Sequence, residues 1–122
     1  MRISRSNKPR IVITMGDPSG IGPEVTLKAL ASPEIKGLAD FLVIGETYAP
    51  RGIKSARASL EYIDKALELA MAGEADAIVT APVSKAAIKK AGLPDFQGHT
   101  EYFAKRTGTN KFVMMFSFSI TF

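Results

Sequence analysis

Three short stretches concentrate residues able to bind a ligand or move a proton: "GDPSGIGPE" at 16–24, "TAPVSK" at 80–85 and "QGHTE" at 97–101. In the first, Asp17, Pro18, Ser19 and Gly20 match the preferences of the four positions of a type I turn. Gly20 and Gly22 then leave the backbone bare ahead of a helix, and bare amides at a helix N-terminus attract anions. The pattern is neither the dinucleotide G-x-G-x-x-G nor a phosphate loop, because no Gly-Lys-Ser/Thr follows. Asp17 and Glu24 repel a phosphate and suit hydroxyls, amines or a cation. The same residues equally fit a plain strand-to-helix turn in which Asp17 bonds its own backbone. Gly22→Ala is expected to cost little stability while blocking a ligand's approach.

In the second stretch Thr80 falls at a strand end and Lys85 in the first turn of a helix, where a cation opposes the helix dipole and points to a partner. A solvated lysine beside Lys89 and Lys90 is the simpler alternative. His99 is the one histidine of the chain, so any histidine-dependent proton transfer must use it. A lone histidine cannot build a metal cluster. Between Gly98 and Thr100 it is placed to hydrogen-bond a ligand, although a surface histidine fits the same position.

These residues need elements to hold them. "RIVITM" at 10–15 is a β-branched run between Pro9 and Gly16, a buried strand. Pro23 suits the first turn of the short helix "EVTLKALA". "DFLVIG" at 40–45 repeats the strand signature, so residues 10–45 form a strand–helix–strand unit, which implies a right-handed parallel crossover. Residues 46–54 have no period and predict a loop. Leu60, Ile63, Leu67 and Met71 fall at helical spacing within 55–72, with Glu61 and Lys65 four apart on the polar side and Gly73 as the stop. "ADAIVTAP" is a third strand, Ser84 caps the helix "KAAIKKA", and "LPDFQGHTE" is a turn. "EYFAKRT" gives one or two helical turns, and "KFVMMFSFSITF" predicts a closing strand. The class is α/β, a parallel or mixed sheet flanked by helices, with a basic tail at 1–9 and a single domain at 10–122.

Composition bounds the function. With 46% hydrophobic and 23% charged residues, the 122-residue chain is of ordinary globular type. The charge of +4 is a tail effect, since Arg2, Arg5, Lys8 and Arg10 stand in the first ten residues and the remainder is neutral. No aromatic interleaving or basic helix accompanies that tail, so nucleic acid is not an expected partner. No apolar stretch reaches the roughly 18 residues of a membrane span, and the N-terminus lacks a signal core, so a cytoplasmic protein is expected. The absence of cysteine excludes disulfides and thiolate chemistry.

The stretches "VITMGDPSGIGPEV", "GEADAIVTAPVSKAAIKKAG" and "GHTEYFAKRTG", in that order and followed by "FVMMF", resemble the N-terminal part of the 4-hydroxythreonine-4-phosphate dehydrogenases. The resemblance implies a fold similar to isocitrate and isopropylmalate dehydrogenases and an active site at a homodimer interface. It also implies NAD- or NADP-dependent oxidation of 4-hydroxythreonine 4-phosphate, with decarboxylation, in pyridoxal 5′-phosphate synthesis. In that family a divalent metal held by three histidines acts as Lewis acid, and the nicotinamide takes the hydride. By position His99 and Thr100 inherit substrate contact, while Asp17, Gly20, Gly22, Thr80 and Lys85 line the site.

Two departures accompany the match. The family carries a long segment between its "VIGE"-like strand and its "G-x-x-S-A"-like helix start, whereas "GETYAPRGIKSA" joins them almost directly here. The family's metal histidines fall beyond the matched residues, so none is expected in this chain. It is therefore expected to be inactive in isolation, as a piece of the dehydrogenase completed by another chain, or to be a reduced α/β module with weak ligand binding. The apolar ending after Lys111, with uncovered sheet edges, predicts that it is not a monomer.

Overall fold

A computed structural model describes residues 6–119. Among the described residues three strands and four helices follow in the order β1 (Arg10–Thr14), α1 (Gly22–Leu30), β2 (Asp40–Ile44), α2 (Ile53–Met71), β3 (Ala77–Thr80), α3 (Lys85–Lys90) and α4 (His99–Thr107). The sheet has the order β2-β1-β3, and both pairings are parallel, with Val12 opposite Leu42 on one side and Ile78 on the other. The expected α/β layer is thus present with a wholly parallel sheet.

The period of two in β1 divides the structure. Val12 is fully buried against Ala66 of α2, with Ile44, Leu69, Ala70 and Ile78 packed around them. Ile11 and Ile13 point to the opposite face, where with Phe41 and Val79 they meet Val25, Ala29 and Leu30 of α1 across an apolar hollow of about 550 Å³. A second cluster joins Ala56 and Leu60 of α2 to Ile88, Ala91 and Phe96, so α2 organises both the sheet and the α3 end. Its buried stripe includes Leu60, Ile63 and Leu67, as the helical spacing requires. Among the described residues, no helix is long and apolar enough to cross a membrane.

Four local expectations differ from the structure. α2 begins at Ile53, two residues early, because Gly52 (φ 148°) lets the chain turn sharply into the helix. α4 likewise begins at His99, two residues before the expected start at Glu101, after Gly98 (φ 137°). Lys65 pairs with Glu68 at 3.5 Å instead of with Glu61. Residues 111–119 form no strand and are exposed throughout, because strand-forming composition yields a strand only where another edge offers its N–H and C=O groups. The last three residues of that expected strand, 120–122, lie outside the described residues.

Candidate functional site

The connection through α1 sets β2 on one side of β1, and the connection from β2 through α2 crosses over to set β3 on the other. The carboxyl ends of β1 and β3 therefore form a topological switch point, where open parallel sheets gather ligands. A crevice of about 440 Å³ opens there, lined by Asp17, Ser19, Gly20 and Ile21 from the β1–α1 turn, Arg51 and Gly52 from the β2–α2 junction, and Pro82, Val83 and Ser84 from the β3–α3 turn.

Backbone contacts fix its walls. Gly16 has φ 73°, and a Cβ there would lie 2.1 Å from the Pro82 carbonyl oxygen, so only glycine lets the two turns touch. The Asp17 N–H donates to that same oxygen at 3.2 Å, and the Gly20 N–H closes the turn onto the Asp17 carbonyl at 2.9 Å. The Asp17 side chain, 6% exposed, accepts on Oδ1 from the Ser19 N–H at 2.8 Å, the Ser19 hydroxyl at 2.6 Å and the Ser55 hydroxyl of α2. Burial pushes its carboxyl up, but these hydrogen bonds and the Arg51 charge outweigh it and hold Asp17 below the usual carboxylate range.

Gly22 plays a different part from the one its sequence suggests. A Cβ on Gly22 would come within 2.0 Å of the Met15 carbonyl oxygen. Its bare backbone is occupied by the end of β1, so the expectation of a cheap Gly22→Ala is overturned by packing. Gly20 does face the crevice, and a Cβ there would have 3.4 Å to its nearest neighbour. Thr80 is half-buried and lines the apolar hollow on the α1 side rather than the crevice.

Lys85 and His99 come together beside the crevice. Lys85 follows Ser84, whose hydroxyl caps α3 by accepting from the Ala87 N–H at 3.2 Å. A Cβ built on Gly98 would lie 3.4 Å from Lys85 Cε and 3.6 Å from Nζ, so the lysine lies along the residue that precedes His99. The His99 Nε2 is buried and has no hydrogen-bond partner, and its ring tilts on Phe103 with centroids 6.1 Å apart. Burial, reinforced by the Lys85 charge, lowers the His99 pKa, so the imidazole is neutral at pH 7. Thr100 is the second residue of α4 and is half-buried. Tyr102 anchors this helix to α2 by donating to Asp64 Oδ1 at 2.7 Å, and Arg106 pairs with the same carboxylate at 3.3 Å.

Sequence reasoning missed Ser55 and Arg51. Ser55 and Ser59 are polar residues on the buried stripe of α2, and that interruption is the signal that could have found Ser55. Arg51 gave none. Among the described residues no three His, Asp or Glu side chains come together, and with His99 as the sole histidine the donor set does not fit a three-histidine metal centre.

Residues 23–120 match the family described as "Pyridoxal phosphate biosynthetic protein PdxA". The chain is 35% identical to a 4-hydroxythreonine-4-phosphate dehydrogenase of Geobacter metallireducens, the match taking in 90% of this chain and 46% of the relative. It is 33% identical to a protein of Symbiobacterium thermophilum provisionally named D-threonate 4-phosphate dehydrogenase, over 89% of this chain and 46% of the relative. The crystal structure of a 4-hydroxythreonine-4-phosphate dehydrogenase from Burkholderia phymatum superposes with a TM-score of 0.74 and 28% identity, covering 87% of this chain and 46% of that one. The chain thus spans about half the length of these relatives. The Geobacter alignment runs over 156 positions, more than the 122 residues of the chain, so that relative carries residues inside the matched span that have no counterpart here.

Proposed function

The chain belongs to the PdxA family of pyridoxal phosphate biosynthetic proteins, and from that premise we propose that it carries the substrate-positioning half of a dehydrogenase acting on a phosphorylated hydroxy acid. Supporting relatives bear the names 4-hydroxythreonine-4-phosphate dehydrogenase and D-threonate 4-phosphate dehydrogenase, and both substrates are short hydroxy acids ending in phosphate.

The observation that carries this proposal is the buried, unpartnered Nε2 of His99 beside Lys85. A buried polar atom without a partner costs about 1–3 kcal/mol, and a ligand hydroxyl set against it removes that cost. His99, neutral at pH 7, orients the hydroxyl to be oxidised; Thr100 adds a second polar contact; Lys85 balances an anionic end of the substrate. Asp17 holds the neighbouring turn. When NAD or NADP is bound, its nicotinamide supplies the hydride acceptor. Because the donor set does not fit the three-histidine metal of the family, this chain positions substrate without completing turnover. Cytoplasmic location and homodimeric association, or completion by a partner chain, belong to the same proposal.

The sole histidine makes the test direct. One imidazole resonance set exists, and titration with 4-hydroxythreonine 4-phosphate is expected to shift it. An unmoved His99 signal at millimolar ligand overturns the assignment. Reduction of NAD by the isolated chain with substrate and a divalent metal would overturn the inactive half of the proposal.

A further inference from the structure

α4 carries His99 and Thr100 in its first turn, yet little of the chain holds this helix in place. Ala104 is its one buried residue, and glycines flank it, Gly98 with φ 137° and Gly108 with φ 70°, so neither connection fixes its direction. Its orientation depends on side-chain contacts. His99, Tyr102, Phe103 and Arg106 stand at positions i, i+3, i+4 and i+7, which places them on one face of the helix. On that face the His99 ring meets Phe103, and the Tyr102 ring meets Phe96 with centroids 5.7 Å apart. Tyr102 and Arg106 both reach Oδ1 of Asp64 on α2.

Asp64 continues the α2 stripe of Ala56 and Leu60, one turn further on. Those two bury apolar surface with Ile88, Ala91 and Phe96, whereas Asp64 presents a carboxylate. An apolar contact tolerates sliding, but a hydrogen bond fixes distance and direction together. The Arg106 pair is half-exposed and therefore screened by water and salt, so the 2.7 Å bond from the Tyr102 hydroxyl is the firmer of the two. Tyr102 lies one turn from His99 on the same helix, and the place of the Nε2 atom moves with it. On the reading of His99 as a substrate contact, we propose that Asp64 is a positioning residue, holding α4 through Tyr102 and Arg106 so that His99 meets the ligand. A group displaced by about 1 Å from its working geometry can lose about a hundredfold in effect, so this clamp decides how well the imidazole serves.

The ligand-free His99 resonance of the full chain tests the proposal by its titration. In the wild type, burial and the Lys85 charge keep the imidazole pKa below its ordinary value. Lys85 of α3 and Glu101 of α4 are the charged groups beside this turn, and every variant retains both. Tyr102→Phe changes no charge, and Asp64→Ala removes a negative one, which by itself can only lower the imidazole pKa. Both variants are nevertheless expected to raise it toward about 6.5, because α4 shifts and His99 leaves its buried place. Asp64→Asn keeps an oxygen acceptor for the Tyr102 hydroxyl and should titrate like the wild type. Tyr62→Phe is the control for stability alone, since that hydroxyl serves the Glu46 N–H from the same helix; it should leave His99 unmoved.

An unchanged His99 titration in Tyr102→Phe overturns the proposal, and so does an equal rise in Tyr62→Phe. If Asp64→Ala fails to fold, Tyr102→Phe still decides. In the same samples Asp64→Ala should weaken 4-hydroxythreonine 4-phosphate by about tenfold, read from the His99 shift. A wild-type His99 silent toward that ligand removes the substrate reading, while the ligand-free titration still decides whether Asp64 places the imidazole. A responsive wild type with equally responsive Asp64→Ala and Tyr102→Phe removes the positioning role alone.

Discussion

The hydroxyl of Ser55 reaches across 38 positions of chain to Oδ1 of Asp17, fastening the first turns of α2 to the turn that leaves β1. Both groups are buried, so the bond forms away from water and its loss leaves a polar atom unpaired. It makes the crevice wall part of the helix–sheet core instead of a loose surface loop.

Asp17→Ala is accordingly expected to destabilise the chain by about 1–3 kcal/mol, because the Ser19 and Ser55 donors lose their acceptor together. The acid dependence has a definite sign. A carboxyl with a lowered folded pKa adds stability that is present above its unfolded value of about 3.9 and is lost as pH falls through the folded pKa. Urea melts between pH 2 and 5 should show this loss in the wild type and a flatter profile in Asp17→Asn; identical slopes would refute it.

Gly20→Ala and Gly22→Ala should part company. A methyl at Gly22 meets the Met15 carbonyl oxygen at 2.0 Å, while one at Gly20 has 3.4 Å to the Asp17 carbonyl oxygen. Overpacking of the first kind costs about 1–3 kcal/mol or more; the second should leave the melting temperature within a few degrees. Thermal melts of both variants decide, and equal stability would contradict the geometry.

His99 adds a second window of the same sign at higher pH. Its lowered pKa, from burial first and Lys85 second, means the unfolded chain binds the proton more readily. Stability from this group is full above the unfolded value of about 6.5 and is lost as pH falls through that value toward the folded pKa. Between pH 7.5 and 5.5 the wild type should lose stability relative to His99→Gln. Lys85→Gln should raise the imidazole pKa, followed by its own resonance.

Tyr102→Phe removes the hydrogen bond to Asp64 and should cost about 1 kcal/mol. Burial, helped by that bond and the Asp64 charge, pushes the Tyr102 hydroxyl up to about 12, so spectrophotometric titration should find this tyrosine the last to ionise. Ionisation near 10 would show that α4 is not docked on α2 as described.

Between Phe112 and Phe118 the chain exposes large apolar side chains, Val113 at 91% and Phe116 at 82%. Light scattering should show a dimer or larger species, and Met115→Lys with Phe116→Lys should shift it toward monomer. A wild type that stays monomeric at high concentration would count against association through this segment.

Much of this architecture was legible because burial writes a period into the chain. Val12 and the Leu60–Ile63–Leu67 stripe declare the side of β1 and the face of α2 that meet, and Pro23 with Gly92 marks helix limits. The turn at Asp17–Gly20 was equally readable, since each of its residue types has a local reason to be there. What stayed hidden depends on distances between residues far apart in sequence. Nothing local distinguishes a glycine kept bare for a ligand from Gly22, kept bare for Met15. Ser55 became a partner of Asp17 only once α2 lay on the sheet. Residues 111–119 illustrate the converse: their composition is that of a strand, but pairing is a property of two segments.

The junction from Gly45 to Gly52 is pinned at two separate points, by the Glu46 N–H donating to the Tyr62 hydroxyl at 3.1 Å and the Ala49 N–H to the Pro18 carbonyl at 3.2 Å. Tyr48, between them, is 75% exposed. Such a place behaves as a splice point: a guest peptide entered there would leave through solvent and return to ends already held, and each doubling of its length would add only about 0.6 kcal/mol of closure entropy. Sheet and helix are indifferent to how much chain passes between these two fastenings, which makes the junction a socket for grafting a reporter or a foreign binding loop, and a place where lineages can gain or shed whole segments without redesigning the layer beneath.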